Sequence, residues 1–342
     1  SVGQQVKITV YSMSFIGDVL ISFRLIAALK NSLPDSTIQF ITTPVMADTA
    51  EAVEQIDDII VFDKKGKHKG RQGYLHIVDE VNRFRPSHYF NLHPGYRAAL
   101  IASKIINMPN GNKYRYNNAA GNFLYKGIDI VYGKGLHEID RLRKFYNEIS
   151  PLEFKDDVRI CFTEMLQASI HRDLGIDAKD RSGYIVLFPG SVWATKKWGR
   201  DNYTQLAKRF LDKGEKVFIA GGPNEKLETA QIAADSGAIN LGGSYTILET
   251  LYIVSLAKQV FANDSAPTHM ANLTGTPVTT IFGPTHPMFG FYPIGKHDRV
   301  LHLDLKCSPC SIHGTNICPL GHHKCMHGIS VDMVADTLTE NI

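Results

Sequence analysis

Residues 7–29 read KITVYSMSFIGDVLISFRLIAAL. The run 7–12 (KITVYS) is rich in β-branched and aromatic residues and reads as a buried strand. Ser14-Phe15-Ile16-Gly17 follow, and Gly17 allows close backbone approach or a positive φ. From Asp18 to Leu29 apolar residues recur at Val19, Leu20, Phe23, Ile26 and Leu29, the spacing of one helix face. A strand that turns straight into a helix opens a βαβ unit, and the alternation continues. Residues 37–42, 59–62 and 88–92 are expected strands; residues 46–55, 74–84 and 96–105 are expected helices. Such alternation implies a parallel sheet.

Residues 109–135 hold many Asn, Gly and Tyr residues and no clean period. Residues 141–149 read as helix, 151–161 hold a short strand candidate, and 176–183 form a polar link. A chain of 342 residues fits two domains, and the boundary is expected at that link, giving domains 1–175 and 176–342. The alternation then restarts. Strands are expected at 184–188 (YIVLF), 216–220, 239–241, 259–262 and 278–282. Helices are expected at 201–212, 225–235, 247–256 and 267–273, with a last one at 331–340. The expected fold class is α/β, with two doubly wound, Rossmann-like domains and a cleft between them. Ligands of such sheets sit outside the carboxyl ends of the strands.

Composition narrows the function. The chain is 44% hydrophobic and 21% charged, ordinary for a globular protein and unlike a disordered or collagen-like chain. Lys plus Arg is 37 against 34 Asp plus Glu, a formal net charge of +3, which argues against nucleic acid as a partner. No stretch approaches the roughly 18 apolar residues of a membrane span, and the start does not read as a signal peptide. Residues 1–5 read as a processed or engineered end. The expected location is cytoplasmic.

Chemistry is expected where strands end. Asp18 lies at a helix start, where a carboxylate complements the positive end of the helix dipole; it is a candidate base for a hydroxyl proton or an N-cap. After YIVLF come Pro189, Gly190 and Ser191, then Trp193-Ala194-Thr195-Lys196-Lys197-Trp198. Small residues leave backbone N–H groups for an anion, and a lysine can neutralise a phosphate; the bland alternative is a surface loop. Glu225, in Gly221-Gly222-Pro223-Asn224-Glu225, can accept from ribose hydroxyls. No G-x-G-x-x-G fingerprint follows the first strand or this one. The most informative segment is Ala262-Asn263-Asp264-Ser265-Ala266-Pro267-Thr268-His269. Ser265 and Thr268 offer hydroxyls, the amides of Ser265 and Ala266 suit a diphosphate, and Asp264 orients the loop, holds a ligand hydroxyl or caps the helix. His269 is a loop or packing histidine. Gly283-Pro284-Thr285-His286-Pro287 ends the next strand.

Two further clusters stand out. Residues 64–71 (KKGKHKGR) form a basic loop, either a solvated flexible one or a contact for an anionic acceptor. Cys307, Cys310, Cys318 and Cys325, with His313, His322, His323 and His327 nearby, are free thiols, a metal site or disulfides. Cys161 reads as a small core residue.

Together SFIGDV (14–19), Lys196-Lys197-Trp198, NDSAPTHMA (263–271), the following G-T-P-V strand and the G-P-T loop resemble glycosyltransferase family 9, the ADP-heptose:lipopolysaccharide heptosyltransferases. The likeness runs over nearly the whole chain and is nearer to the heptosyltransferase II branch. It implies a GT-B fold and inverting transfer from a nucleotide-diphosphate sugar, with no obligatory metal or cofactor. It implies Asp18 as general base, Lys196 on the diphosphate, Glu225 on the ribose, Asp264 on the donor sugar, the Ser265 and Ala266 amides on phosphate, and His269 as loop support. Ser191 and Thr195 belong to the same donor loop. The acceptor implied is a lipopolysaccharide core, acidic and phosphorylated. Lys64, Lys65, Lys67, Lys69, Arg71 and Arg97 are candidates to contact it or the inner-membrane face. Two departures stand out: Ala266 where the family has glycine, and Gly199 where proline often follows the tryptophan. A transferase of another nucleotide-sugar or a sugar-nucleotide epimerase is the alternative; a non-catalytic two-lobed binding protein and an NAD-dependent dehydrogenase fit less well.

Overall fold

A computed structural model describes residues 5–177 and 183–340. The chain divides into two compact units, Ser1–Cys161 and Phe162–Ile342. The first holds β1 (Lys7–Tyr11), α1 (Ile16–Ser32), β2 (Thr37–Thr42), α2 (Ala47–Ala52), β3 (Asp58–Val61) and α3 (Gly70–Phe84), then β4 (His88–Asn91), α4 (Tyr96–Ser103), β5 (Lys113–Tyr116), β6 (Ile128–Ile130) and α5 (Glu138–Asn147). The second begins with α6 (Glu164–Leu174), β7 (Tyr184–Phe188), α7 (Arg200–Asp212), β8 (Lys216–Ile219), α8 (Lys226–Ser236), β9 (Ile239–Asn240) and α9 (Ile247–Ser255). It continues with β10 (Gln259–Asn263), α10 (Ala266–Thr274), β11 (Val278–Ile281), β12 (Arg299–Leu301), α11 (Lys324–His327) and α12 (Val331–Ala335).

Both sheets are six-stranded and parallel, in the orders β3-β2-β1-β4-β5-β6 and β12-β11-β10-β7-β8-β9. Counted from its own first strand, the second sheet has the order of the first, the doubly wound order of Rossmann-like folds. The fold class is therefore the expected one. In each unit the central strands are buried along their length, β1 after Lys7 and β7 throughout. Residues Val19–Phe23 and Leu25–Leu29 of α1 are buried on all sides, as befits a helix enclosed by its neighbours. Parallel strands bring the loops that follow them to one end of each sheet, and that end carries the candidate site residues.

Several expectations need correction. The stretch 109–135 contains two strands, β5 and β6. The expected strand in 151–161 is an isolated bridge between Val53 and Ile160. The chain also forms α6, which packs on α9: Phe162 and His171 contact the Tyr252 ring, and His171 Nε2 lies 2.6 Å from Tyr252 Oη. That packing places 162–175, assigned above to the first domain, in the second unit. Of the expected link 176–183, residues 178–182 lie outside the described ones. The final helix is shorter than expected, ending at Ala335.

Candidate functional site

In the first unit, β1 runs into Ser14, and α1 starts at Ile16 with Phe15 at the N-cap. Asp18 is therefore inside the first turn and not the cap. Ser14 Oγ donates to Asp18 Oδ2 at 2.7 Å, which orients the carboxylate. α5 packs against α1, and its first residue, Glu138, is held by Arg141 Nη1 at 2.8 Å and approached by Tyr116 Oη at 3.4 Å. Burial, with the nearby Asp18 charge adding to it, pushes Glu138 up to about 7 despite the Arg141 hydrogen bond. Arg141 is itself buried and stacks over Tyr132 at 4.2 Å. Motif reading misses this second carboxylate: Glu138 lies three residues before the helix expected at 141–149, and only the observed start of α5 puts it in a first helical turn.

The basic run is a structured turn. Asp63 accepts from the Gly66 and Lys67 amides at 2.9 and 3.0 Å. The Lys67 and Gly66 amides hold its carboxyl below the ordinary value. The His68 ring is buried and its Nδ1 accepts from Asp63 N. Lys65, Lys67 and Lys69 are exposed, Lys64 partly so, and α3 already includes Arg71. Burial lowers the His93 pKa, and the Lys64 charge lowers it further. Arg97 lies 6.0 Å from the Phe62 ring, so the loops after β3 and β4 share the basic end of this sheet.

In the second unit, residues far apart in sequence converge. Lys196 Nζ lies 3.1 Å from Asp264 Oδ2, and both side chains are mostly buried. Thr285 Oγ1 donates to the same Oδ2 at 2.7 Å. Asp264 is thus an ion-pair partner and not a helix cap. Removing one member leaves the other charge partly enclosed without its ionic partner. Asn263, fully buried, ties the loops together. Its Nδ2 donates to the carbonyls of Pro189 and Gly190, and its Oδ1 accepts from Trp198 N and Tyr203 Oη. Lys197 is occupied by Glu228 at 2.9 Å.

Ser265 is the N-cap of α10, but no side-chain cap bond forms there; its Oγ donates to the Asn263 carbonyl. Thr268, offered above as a ligand hydroxyl, is turned into the core against Thr280 at 2.8 Å. Thr195 is also buried, and its hydroxyl bonds to the backbone of Thr315. Ser191 Oγ accepts from Trp193 N. Glu225 accepts from Gly222 N at 2.8 Å, and burial raises its pKa. It lies so close to Gly190 that a Cβ there would collide with its carboxylate. His269 stands edge-on to Phe291, with centroids 6.4 Å apart. Gly199 has φ of 114°, which proline, fixed near −65°, cannot adopt. That accounts for the departure from the family pattern at this position.

The cysteines are free thiols. Among the described residues no group of three or more His, Cys, Asp or Glu side chains is placed to hold a metal ion, so the metal reading of Cys307, Cys310, Cys318 and Cys325 has no geometric support here. Cys161, expected in the core, is exposed. No helix among the described residues is long and apolar enough to cross a membrane.

The family model for glycosyltransferase family 9 (heptosyltransferase) matches residues 116–319. The chain belongs to that family and is a glycosyltransferase of GT-B fold. It is 25% identical to lipooligosaccharide heptosyltransferase 2 of Campylobacter jejuni over 340 residues, 97% of this chain and 98% of the relative. Among solved structures it resembles a family 9 glycosyltransferase from Veillonella parvula, with a TM-score of 0.84, 22% identity and coverage of 98% and 97% of the two chains. It also resembles the ADP-heptose lps heptosyltransferase II of E. coli, with a TM-score of 0.77, 17% identity and 97% coverage of each.

Proposed function

We propose that the protein is an inverting transferase that moves a heptose, or a closely related sugar, from ADP-heptose to a lipopolysaccharide core acceptor. The observation that carries this reading is the meeting of Lys196 with Asp264 and Thr285 at the ends of β7, β10 and β11. Two motifs remote in sequence there form one charged site, an ammonium with its carboxylate partner, beside the start of α10, where the N-cap side chain makes no cap bond. The names of the relatives support the choice of sugar and acceptor.

The proposed chemistry balances as follows. The acceptor hydroxyl oxygen attacks the anomeric carbon, and the bond from that carbon to the diphosphate oxygen breaks on the opposite face. The hydroxyl proton passes to Asp18, oriented by Ser14. ADP leaves with the bonding electrons, and its new charge is met by Lys196 and by the Ser265 and Ala266 amides. These groups supply the positive charge, so the reading needs no obligatory metal. Glu225 takes a ribose hydroxyl, Asp264 the sugar, Ser191 lines the donor loop and His269 supports it. Thr195, with its hydroxyl engaged by Thr315, positions that loop. The acceptor phosphates are assigned to Lys64, Lys65, Lys67 and Arg97, whose charges suit an acidic glycolipid and the cytoplasmic face of an inner membrane.

Isothermal titration with ADP, UDP and GDP tests the donor. The expected result is preferential ADP binding that Lys196→Ala weakens about 10–100-fold, the worth of a charged hydrogen bond. Preference for UDP or GDP overturns the choice of donor, and an unaffected Lys196→Ala overturns the site.

A further inference from the structure

Residues 302–323, between β12 and α11, form no helix or strand, yet they are bonded to both loops that carry the Lys196–Asp264 pair. Thr195 Oγ1 donates to the Thr315 carbonyl at 2.7 Å and accepts from Thr315 N at 2.9 Å. Thr195 N donates to the same carbonyl at 3.0 Å. His323 Nε2 lies 2.6 Å from the Thr195 carbonyl. A carbonyl only accepts, so this nitrogen carries the proton. The amide, the carbonyl and the hydroxyl of Thr195 are thus all held by this one segment. The next residue is Lys196. Gly314, at φ of 95°, lies against its Cγ and Cδ and against Trp193, leaving no room for a Cβ.

The same segment holds the opposite side of the site. Cys310 N and Ser311 N donate to the Pro284 carbonyl at 3.0 and 3.2 Å, and Ser308 Oγ donates to the Gly283 carbonyl. The next residue is Thr285, which fixes the partner of Lys196 through Asp264 Oδ2. A lysine has a long, flexible stem whose ordering costs binding energy unless it is ordered beforehand. Holding the residue before it, Thr195, and packing a glycine along the lysine stem orders the side chain beforehand.

We infer that residues 308–323 form a strap that sets Lys196 and Asp264 for a nucleoside diphosphate, with Thr195 and His323 as positioning residues. This deepens the donor reading above and rests on it. The geometry also gives the cysteine-rich segment a task that its thiols do not themselves perform: Cys310 contributes its amide, and Cys318 Sγ accepts from His323 N at 3.4 Å.

The test uses the full chain with ADP as probe. Thr195→Val keeps the shape and removes the hydroxyl, and is expected to weaken ADP binding about tenfold, the worth of two neutral hydrogen bonds. The donor KM rises in step while the acceptor KM stays put. Thr195→Ser, which keeps the hydroxyl, is expected to recover most of that loss. His323→Leu, at a half-buried position, tests the strap from the other side if Thr195→Val does not fold, with an expected loss of a few-fold. Melting temperature is followed in each. Folded Thr195→Val or His323→Leu that binds ADP like the wild type overturns the strap, even if its melting point falls. If Lys196→Ala also binds ADP like the wild type, the donor reading itself has failed. If Lys196→Ala loses binding and the other two do not, the strap alone has failed.

Discussion

The two sheets have the same strand order, yet their first strand-to-helix connections differ. In the first unit residues 12–15 link β1 to α1; in the second, residues 189–199 link β7 to α7. The short link leaves space for one oriented carboxylate, Asp18, inside the first helical turn. The long link carries Lys196 out to Asp264, and Trp198 back to the fully buried Asn263. Electrostatics diverge in the same way. The first unit sets Asp18 near a second acid, Glu138, which Arg141 holds, whereas the second sets Asp264 directly against Lys196 and Thr285. The doubly wound sheet thus fixes where these loops sit; the longer first loop carries the lysine, while the acid of the first unit lies inside the helix that follows the shorter one.

The sharpest way to break this contrast is Asp18→Asn. It keeps the size of the side chain and removes the base, so turnover is expected to fall about 10²–10⁴-fold while ADP affinity is unchanged. Turnover within a few-fold of wild type ends the assignment of the base to the first unit.

A smaller effect tests the acid pair. The Glu138 pKa rises from 4.5 to about 7 in the folded state. The folded protein therefore holds this proton where the unfolded chain has released it. Its contribution to stability is present below about pH 4.5 and is lost as pH rises through about 7. The size of that loss is at most about 3 kcal/mol. Melting temperatures of wild type and Glu138→Gln across this range are expected to diverge as pH rises, because Gln cannot titrate. Parallel curves contradict the coupling.

The smallest expected effect concerns the basic turn. Lys64→Glu, Lys65→Glu and Lys67→Glu together are expected to raise the acceptor KM about fivefold, an effect that added salt diminishes. Donor KM stays constant. An unchanged acceptor KM removes these lysines from the acceptor surface and leaves them as solvated charges.

Much of this was legible in the sequence because periodicity and turn chemistry agreed. The strands before Asp18, Lys196, Glu225 and Asp264 end within one residue of where the sequence pattern puts them. What escaped notice had physical reasons. β5 reads Lys-Tyr-Arg-Tyr, which does not look like a buried strand. It is buried because its charges are satisfied internally. Lys113 Nζ donates to the Ala102 and Ile105 carbonyls, and Arg115 bonds Asp129 and the carbonyls of Asn122 and Tyr125. α6 hides its amphipathicity because only Ile170 and Leu174 are buried, although the Thr163 cap and the left-handed Gly175 mark its ends. The bond between Thr285 and Asp264 and the strap on Thr195 join residues remote in sequence, so no local pattern announces them. Thr195 and Thr268 have the right residue type for a ligand, but their hydroxyls face protein.

The Lys196–Asp264 pair has one more consequence. Before any donor arrives, the lysine already has a carboxylate at contact distance. A ligand with a single negative charge offers it little beyond what it holds, and must displace Asp264 to do so. A diphosphate brings several charged oxygens, enough to share the ammonium and still engage the α10 amides. On the proposed donor reading, the carboxylate would compete with an incoming anion for the ammonium, a competition that a diphosphate with several charged oxygens is better placed to win than a singly charged ion.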